Sequence, residues 1–134
     1  MAPTLPPPVD STNTLFPHTL ISSEVTASLP AGFTIRPLVR DDHARGFYEC
    51  LKVLTWVGGD EDGDGDGQPS AAEFRTRFDE MAAAAGTYYF LVIEWEGCVA
   101  GTGELVVEKK LYVFFFFLSL SLSQHMLCLI SDME

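Results

Sequence analysis

The sequence predicts one α/β (α+β) domain laid out as strand, helix, helix and β-hairpin. Three observations predict it. A short alternating run, Gly32 to Val39, precedes two stretches whose apolar residues recur at helical spacing. Two further alternating runs then flank the dipeptide Glu96-Gly97. Finally, 134 residues with 47% hydrophobic content fit a single core of ordinary domain size.

Residues 1–28 are rich in Pro, Ser and Thr and are expected to form an extended, largely disordered leader. Within it, Leu15-Phe16-Pro17 and Leu20-Ile21 can pack onto the domain as an arm. In the first strand Phe33, Ile35 and Pro37 share a side, and Pro37, lacking an N–H, implies an edge strand or a strand end. Asp41 or Asp42 can cap a helix running to about Val57, with Phe47, Cys50, Leu51, Leu54 and Val57 as its apolar stripe. Gly58 to Pro69 is an acidic, glycine-rich loop.

Ser70-Ala71-Ala72-Glu73 is a capping-box signature opening a second helix. That helix carries Phe74, Phe78, Met81 and Ala85 on one face, and Gly86 stands where a C-terminal cap belongs. Tyr88 to Trp95 and Cys98 to Glu108 then form a hairpin around Glu96-Gly97, which calls for a primed turn. Simple alternation places Val99, Gly101, Gly103, Leu105 and Val107 on one side of the returning strand.

Beyond Lys110 the character changes. Leu111-Tyr112-Val113 leads into Phe114 to Phe117 and an alternating Leu/Ser run from Leu118 to Ser123. The stretch Leu111 to Ile130 is long enough for a bilayer core. Yet Ser119, Ser121, Ser123, Gln124 and His125 dilute it, and the alternation suits a strand, so membrane insertion is not expected.

The net charge of −11, with Asp60, Glu61, Asp62, Asp64 and Asp66 crowded together, repels phosphate backbones and argues against nucleic-acid binding. A small anionic substrate is still compatible, because a few local cations can dominate a closed pocket. Cys50, Cys98 and Cys128 have no metal-ligand spacing and are odd in number, which suggests free thiols in a reducing compartment. The start Met1-Ala2-Pro3-Thr4-Leu5 has neither a basic nor an apolar segment, so a cytoplasmic location is expected. His18, His43 and His125 have no acid or thiol partner at a recognisable spacing, and Gly101-Thr102-Gly103 is followed by no Lys at phosphate-loop spacing.

Several separated words of the chain resemble fungal glucosamine 6-phosphate N-acetyltransferases of the GNAT superfamily. They are Leu29-Pro30-Ala31-Gly32-Phe33-Thr34-Ile35-Arg36-Pro37-Leu38, Leu51-Lys52-Val53-Leu54-Thr55-Trp56-Val57-Gly58, and Val99-Ala100-Gly101-Thr102-Gly103-Glu104-Leu105-Val106-Val107-Glu108-Lys109-Lys110. The leader words Leu15-Phe16-Pro17 and Leu20-Ile21-Ser22 match as well. The resemblance implies that residues 29–110 are the N-terminal half of a GNAT-type acyl-CoA N-acyltransferase domain, preceded by leader 1–28 and followed by a non-family apolar tail, 111–134. It implies transfer of acetyl from acetyl-CoA, the cosubstrate, to the amine of D-glucosamine 6-phosphate in UDP-N-acetylglucosamine biosynthesis, with no metal.

The resemblance further implies a homodimer whose C-terminal halves complete each other's sites. Two substrate-binding positions carry over: Thr55 matches a threonine that contacts the sugar phosphate, and Lys110 matches the lysine opening a Lys-x-x-His substrate segment. A hydroxyl and an ammonium suit a phosphate because charge-assisted donors bind oxyanions well. The blander roles are a helix-terminal hydroxyl bonded to its own backbone for Thr55 and a solvated strand-end charge for Lys110. No catalytic, cofactor-binding or metal residue carries over.

After Lys110 the family continues with that His, a Gly-His-Ile-Glu-Asp-Ile-Ala-Val strand and a Gln/Arg-x-x-Gly-x-Gly turn, none of which stands in residues 111–134. That turn would hold the coenzyme A pyrophosphate, and that strand would supply the oxyanion N–H. Weak or absent catalysis is therefore expected of the chain as written. Phe, Leu and Ser can all be encoded by T and C alone, Gln124 by CAG, and Leu-Tyr-Val can contain GTATGT. Residues 111–134 thus read as a retained intron or a gene-model error.

The alternative function is a non-catalytic fragment that binds calcium. Asp62 to Glu73 fits a twelve-residue EF-hand loop, with acids at its first, third and fifth positions, Gly67 sixth, Ser70 ninth and Glu73 last. Pro69 and the helix-breaking Gly58-Gly59 count against it.

Overall fold

The computed structural model describes residues 13–54 and 67–109 in full and residues 114–122 as backbone. Its centre is an antiparallel four-stranded meander in the order β1-β2-β3-β4, formed by Phe33–Pro37, Tyr88–Trp95, Cys98–Lys109 and Phe114–Leu122. β1 lies at the sheet edge and ends on Pro37, as its missing N–H requires. The β2–β3 turn has Glu96 at φ 49° and Gly97 at φ 79°, the two left-handed residues of a primed hairpin. β4 pairs with β3 from Lys109↔Phe114 to Gly101↔Leu122, so the Leu/Ser alternation lies in a strand.

The hairpin departs from simple alternation at one place. Ile93 faces Gly101, but Glu94 faces Val99, which leaves Ala100 as an extra residue. This bulge inverts the parity of β3. Val99 shares a side with Val92 and Thr102, whereas Gly101, Gly103, Leu105 and Val107 share the opposite one. The expectation that all five residues line one face is thereby corrected.

The single helix expected from Asp41 to about Val57 is broken in two. Asp42–Arg45 forms a 3₁₀ turn, Gly46 takes φ 89°, and α2 follows over Phe47–Leu51. A left-handed glycine ends one helix and starts the next because it carries no Cβ to clash. Asp42 does not cap: its carboxylate accepts the Val39 N–H at 2.8 Å instead. Turn hydrogen bonds continue to Leu54, whose N–H reaches the Leu51 carbonyl at 2.9 Å. Phe47 and Cys50 of the expected stripe are buried, Leu54 is exposed, and Val57 lies outside the described residues.

The second helix, α3, spans Ala71–Ala83 with the capping box in place. The Glu73 N–H donates to Ser70 Oγ at 3.2 Å and the Ser70 N–H to Glu73 Oε2 at 2.7 Å. The helix ends at Ala84, two residues before Gly86, which takes φ 83° in the following turn. Phe74 and Phe78 point inward and meet Leu38, Phe47, Cys50, Val92 and Val99 in one core between α2, α3 and the sheet. Phe47 touches the edges of Phe74 and Phe90 at ring distances of 5.3 and 6.2 Å. Each such side chain contributes roughly 1.5–3 kcal/mol of burial.

Residues 13–28 differ from the expected extended leader. Thr14 bridges to Val39, Leu15 N–H donates to the Leu38 carbonyl at 2.8 Å, and Phe16 is buried against Tyr89. A 3₁₀ turn at His18–Leu20 and a short helix α1 at Ser23–Ser28 follow, the latter capped by Ser22. The arm packs through Leu15 and Phe16, while Leu20 is exposed.

Candidate functional site

Two elements lead to the sequence-predicted substrate residues. The turn after α2 runs through Lys52, Val53 and Leu54 toward Thr55, and β3 ends at Lys109, next to Lys110. Thr55 and Lys110 themselves lie outside the described residues. α2 packs directly on β3 and β4.

On the helix-facing side of β3 stand Thr102, Glu104 and Val106. Thr102 is buried, and Glu104 lies half-buried opposite Phe90. Burial pushes the Glu104 carboxyl above the usual range. It makes no hydrogen bond or ion pair among the described residues. Sequence reasoning missed Glu104 because unbroken alternation sets it against Val99, whereas the bulge at Ala100 turns it to the Val99 side.

The described arginines are largely committed to partners. Arg36 spans Asp42 and Glu94, Arg40 pairs with Asp79 at 2.9 Å, Arg75 with Asp41 at 2.9 Å and Arg77 with Glu80 at 2.8 Å. Burial opposes the charge on Arg36, but the hydrogen bonds and charges of Asp42 and Glu94 outweigh it and raise its pKa. His43 Nε2–H donates to the Pro69 carbonyl at 2.8 Å, with the ring edge-on to Tyr48 and Phe74. That bond ties the end of the acidic loop to the 3₁₀ turn. His18 Nε2 lies 3.3 Å from the Ile35 carbonyl.

The described residues do not supply a coenzyme A cradle. Among them α3 is the long helix, and its first N–H groups already face Ser70 and the Glu73 carboxylate, an anion where a pyrophosphate would need donors. The opposite face of the sheet holds a cavity of about 480 Å³ lined by Phe16, Ile21, Ile35, Leu91, Leu105 and Val107, which offers little to a charged ligand. Of the EF-hand positions, Asp62, Asp64 and Asp66 lie outside the described residues, and Ser70 and Glu73 serve the capping box. No group of three or more metal-ligating side chains occurs among the described residues, and no described helix is long and apolar enough to cross a membrane.

No family model matches the sequence. A glucosamine 6-phosphate N-acetyltransferase of Candida albicans is 33% identical over 84 residues, 62% of this chain and 50% of that protein. A protein of the same name from Arabidopsis thaliana is 36% identical over 80 residues, 58% of this chain and 48% of that one. The chain thus spans about half the length of these curated relatives. The crystal structure of the Arabidopsis glucosamine-6-phosphate N-acetyltransferase superposes with a TM-score of 0.60 at 27% identity, covering 70% of this chain and 62% of that one.

Proposed function

We propose, from a GNAT-type fold and relatives that are glucosamine 6-phosphate N-acetyltransferases, that this chain binds D-glucosamine 6-phosphate as the acceptor of an acetyl group from acetyl-CoA. The observation that carries the reading is the superposition with the Arabidopsis enzyme, at a TM-score of 0.60 over 70% of this chain. In the reaction the amine attacks the thioester carbonyl, the C–S bond breaks, and the nitrogen loses a proton as the thiolate leaves. Acetyl-CoA supplies the activated acyl group. On the acceptor side the resemblance assigns the Thr55 hydroxyl as donor to a phosphate oxygen and the Lys110 ammonium as the charge that neutralises the phosphate.

Residues 111–134 do not match the family's cofactor turn. A retained intron or a gene-model error would account for their composition, and sequencing the transcript across Lys110 tests that. Functionally, calorimetry with glucosamine 6-phosphate should show binding that T55A and K110A each weaken about tenfold. No binding by the unaltered chain would overturn the acceptor role.

A further inference from the structure

We infer that residues 14–18 are a strap latched by His18 over the outer edge of β1, and that releasing it turns this edge into a docking line for a second copy of the chain. β1 is the first strand of the sheet, and the strap runs along its outer side as an added strand would. Thr14 bridges Val39, the Leu15 N–H reaches the Leu38 carbonyl at 2.8 Å, and His18 Nε2 stands 3.3 Å from the Ile35 carbonyl. As the strap runs from 14 to 18 the facing position falls from 39 to 35, the one-for-one countdown of an antiparallel partner.

Along an edge strand, residues bonded to the neighbouring strand alternate with residues whose N–H and C=O point outward. Leu38 gives its N–H to the Phe90 carbonyl, which sets Arg36 and Thr34 toward β2 and Pro37, Ile35 and Phe33 toward the outer side. The Phe33 N–H goes to the Pro30 carbonyl at 3.2 Å, and Pro37 has no N–H. Ile35 is therefore the position at which a further strand would bond, and there the His18 imidazole stands in for a backbone donor. Open groups on an edge recruit other strands, and a covering segment prevents it. The strap is held at few points. The Phe16 ring lies 5.3 Å from that of Tyr89, while the 3₁₀ turn at His18–Leu20 and α1 bury no residue.

A second copy suits the freed edge. The net charge of −11 makes copies of the chain repel, but Phe33–Pro37 holds a single charge, Arg36, already paired with Asp42 and Glu94. Two β1 strands meeting antiparallel about a two-fold axis at Ile35 set Phe33 against Pro37 and Thr34 against Arg36, so no like charges oppose each other.

The test uses the full chain, with His18→Ala to open the latch and His18→Gln to keep a donor at similar reach. Hydrogen exchange followed by NMR should show the Leu15 N–H exchanging about fivefold faster in the Ala variant and near the unaltered rate in the Gln variant. Sedimentation over a concentration series should show His18→Ala self-associating about tenfold more tightly than the unaltered chain. The Ile35 N–H should become protected as the dimer forms, which a mere loss of packing would not produce. Leu15→Pro removes the N–H given to Leu38, so it opens the strap by a second route and should associate likewise. Unchanged Leu15 exchange in His18→Ala overturns the latch. Self-association no tighter than that of the unaltered chain in both variants, or a dimer in which Ile35 exchanges freely, overturns the docking line.

Discussion

Arg36 grips Asp42 through two parallel hydrogen bonds, Nη1 to Oδ2 at 2.9 Å and Nη2 to Oδ1 at 2.8 Å, in a region from which Asp42 is wholly excluded from solvent. The same guanidinium reaches Glu94 across the β1–β2 ladder at 2.8 Å, and Asp42 also takes the Val39 N–H. One ion cluster therefore locks the end of β1, the chain reversal after it and the neighbouring strand into a single arrangement. The 3₁₀ turn at Asp42–Arg45 is fixed by this contact rather than by a helix cap.

Removing one member of such a buried pair strands the other. Asp42→Ala should cost about 3–5 kcal/mol, because the Arg36 charge is then left without its bidentate acceptor. Denaturant unfolding followed by circular dichroism measures it. The double change Arg36→Met with Asp42→Leu should cost less than the two single changes added together, since neither member of the pair is then stranded by loss of the other, although Arg45 and Glu94 each lose a partner. An Asp42→Ala loss of under about 1 kcal/mol would show that the pair is not the lock described.

The capping box makes a separate prediction with a pH signature. Ser70→Ala should destabilise by about 1 kcal/mol through the loss of the acceptor for the Glu73 N–H. The Ser70 backbone N–H, then its hydroxyl, hold the Glu73 carboxyl below the usual range. A depressed carboxylate contributes stability that is present above its unfolded pKa and is lost as pH falls through the folded one. Glu73→Gln should therefore flatten the acid limb of the stability–pH curve, and an unchanged limb would rule the contribution out.

Turn chemistry gives a stabilising substitution. Glu96 holds φ 49° without the tolerance of glycine or asparagine for that region. Glu96→Asn should raise stability by up to about 1 kcal/mol by relieving the left-handed residue of the I′ turn. Thermal unfolding reads the gain, and a lower midpoint would contradict it. Gly32 is the opposite case: at φ 89°, an added Cβ would fall within van der Waals contact of the Trp95 ring, so Gly32→Ala should destabilise the β1 edge.

What was legible in the sequence were features set by residues close in the chain. Ser70 with Glu73, Glu96 with Gly97, and Pro37 at a strand end are local stereochemistry, and each appears where the residues require it. What was hidden depends on contacts between distant segments. Gly46 splits a helix whose apolar spacing alone runs on, and Asp42 turns from a cap toward Arg36. The extra residue Ala100 is invisible to periodicity, because Val99, Ala100 and Gly101 fit either register, yet it decides which way Glu104 faces. The candidate site was legible only as resemblance, at Thr55 and Lys110; the inward acid emerged from the register.

Glu104 also yields a stability prediction whose sign opposes that of Glu73. Burial raises its carboxyl pKa, so the protonated form is the one the fold favours. That contribution is fully present below the unfolded pKa and is lost as pH rises through the raised, folded one. At neutral pH the charged Glu104 therefore weakens the chain, and Glu104→Gln should stabilise it in the absence of sugar phosphate. Solvent screening at a half-buried position limits the gain to less than about 1 kcal/mol. The difference between variant and unaltered chain should shrink as the pH is lowered through the carboxylate range. Denaturant midpoints at a series of pH values check it, and a variant equally or less stable at neutral pH would show that the carboxylate is solvated rather than held at a cost.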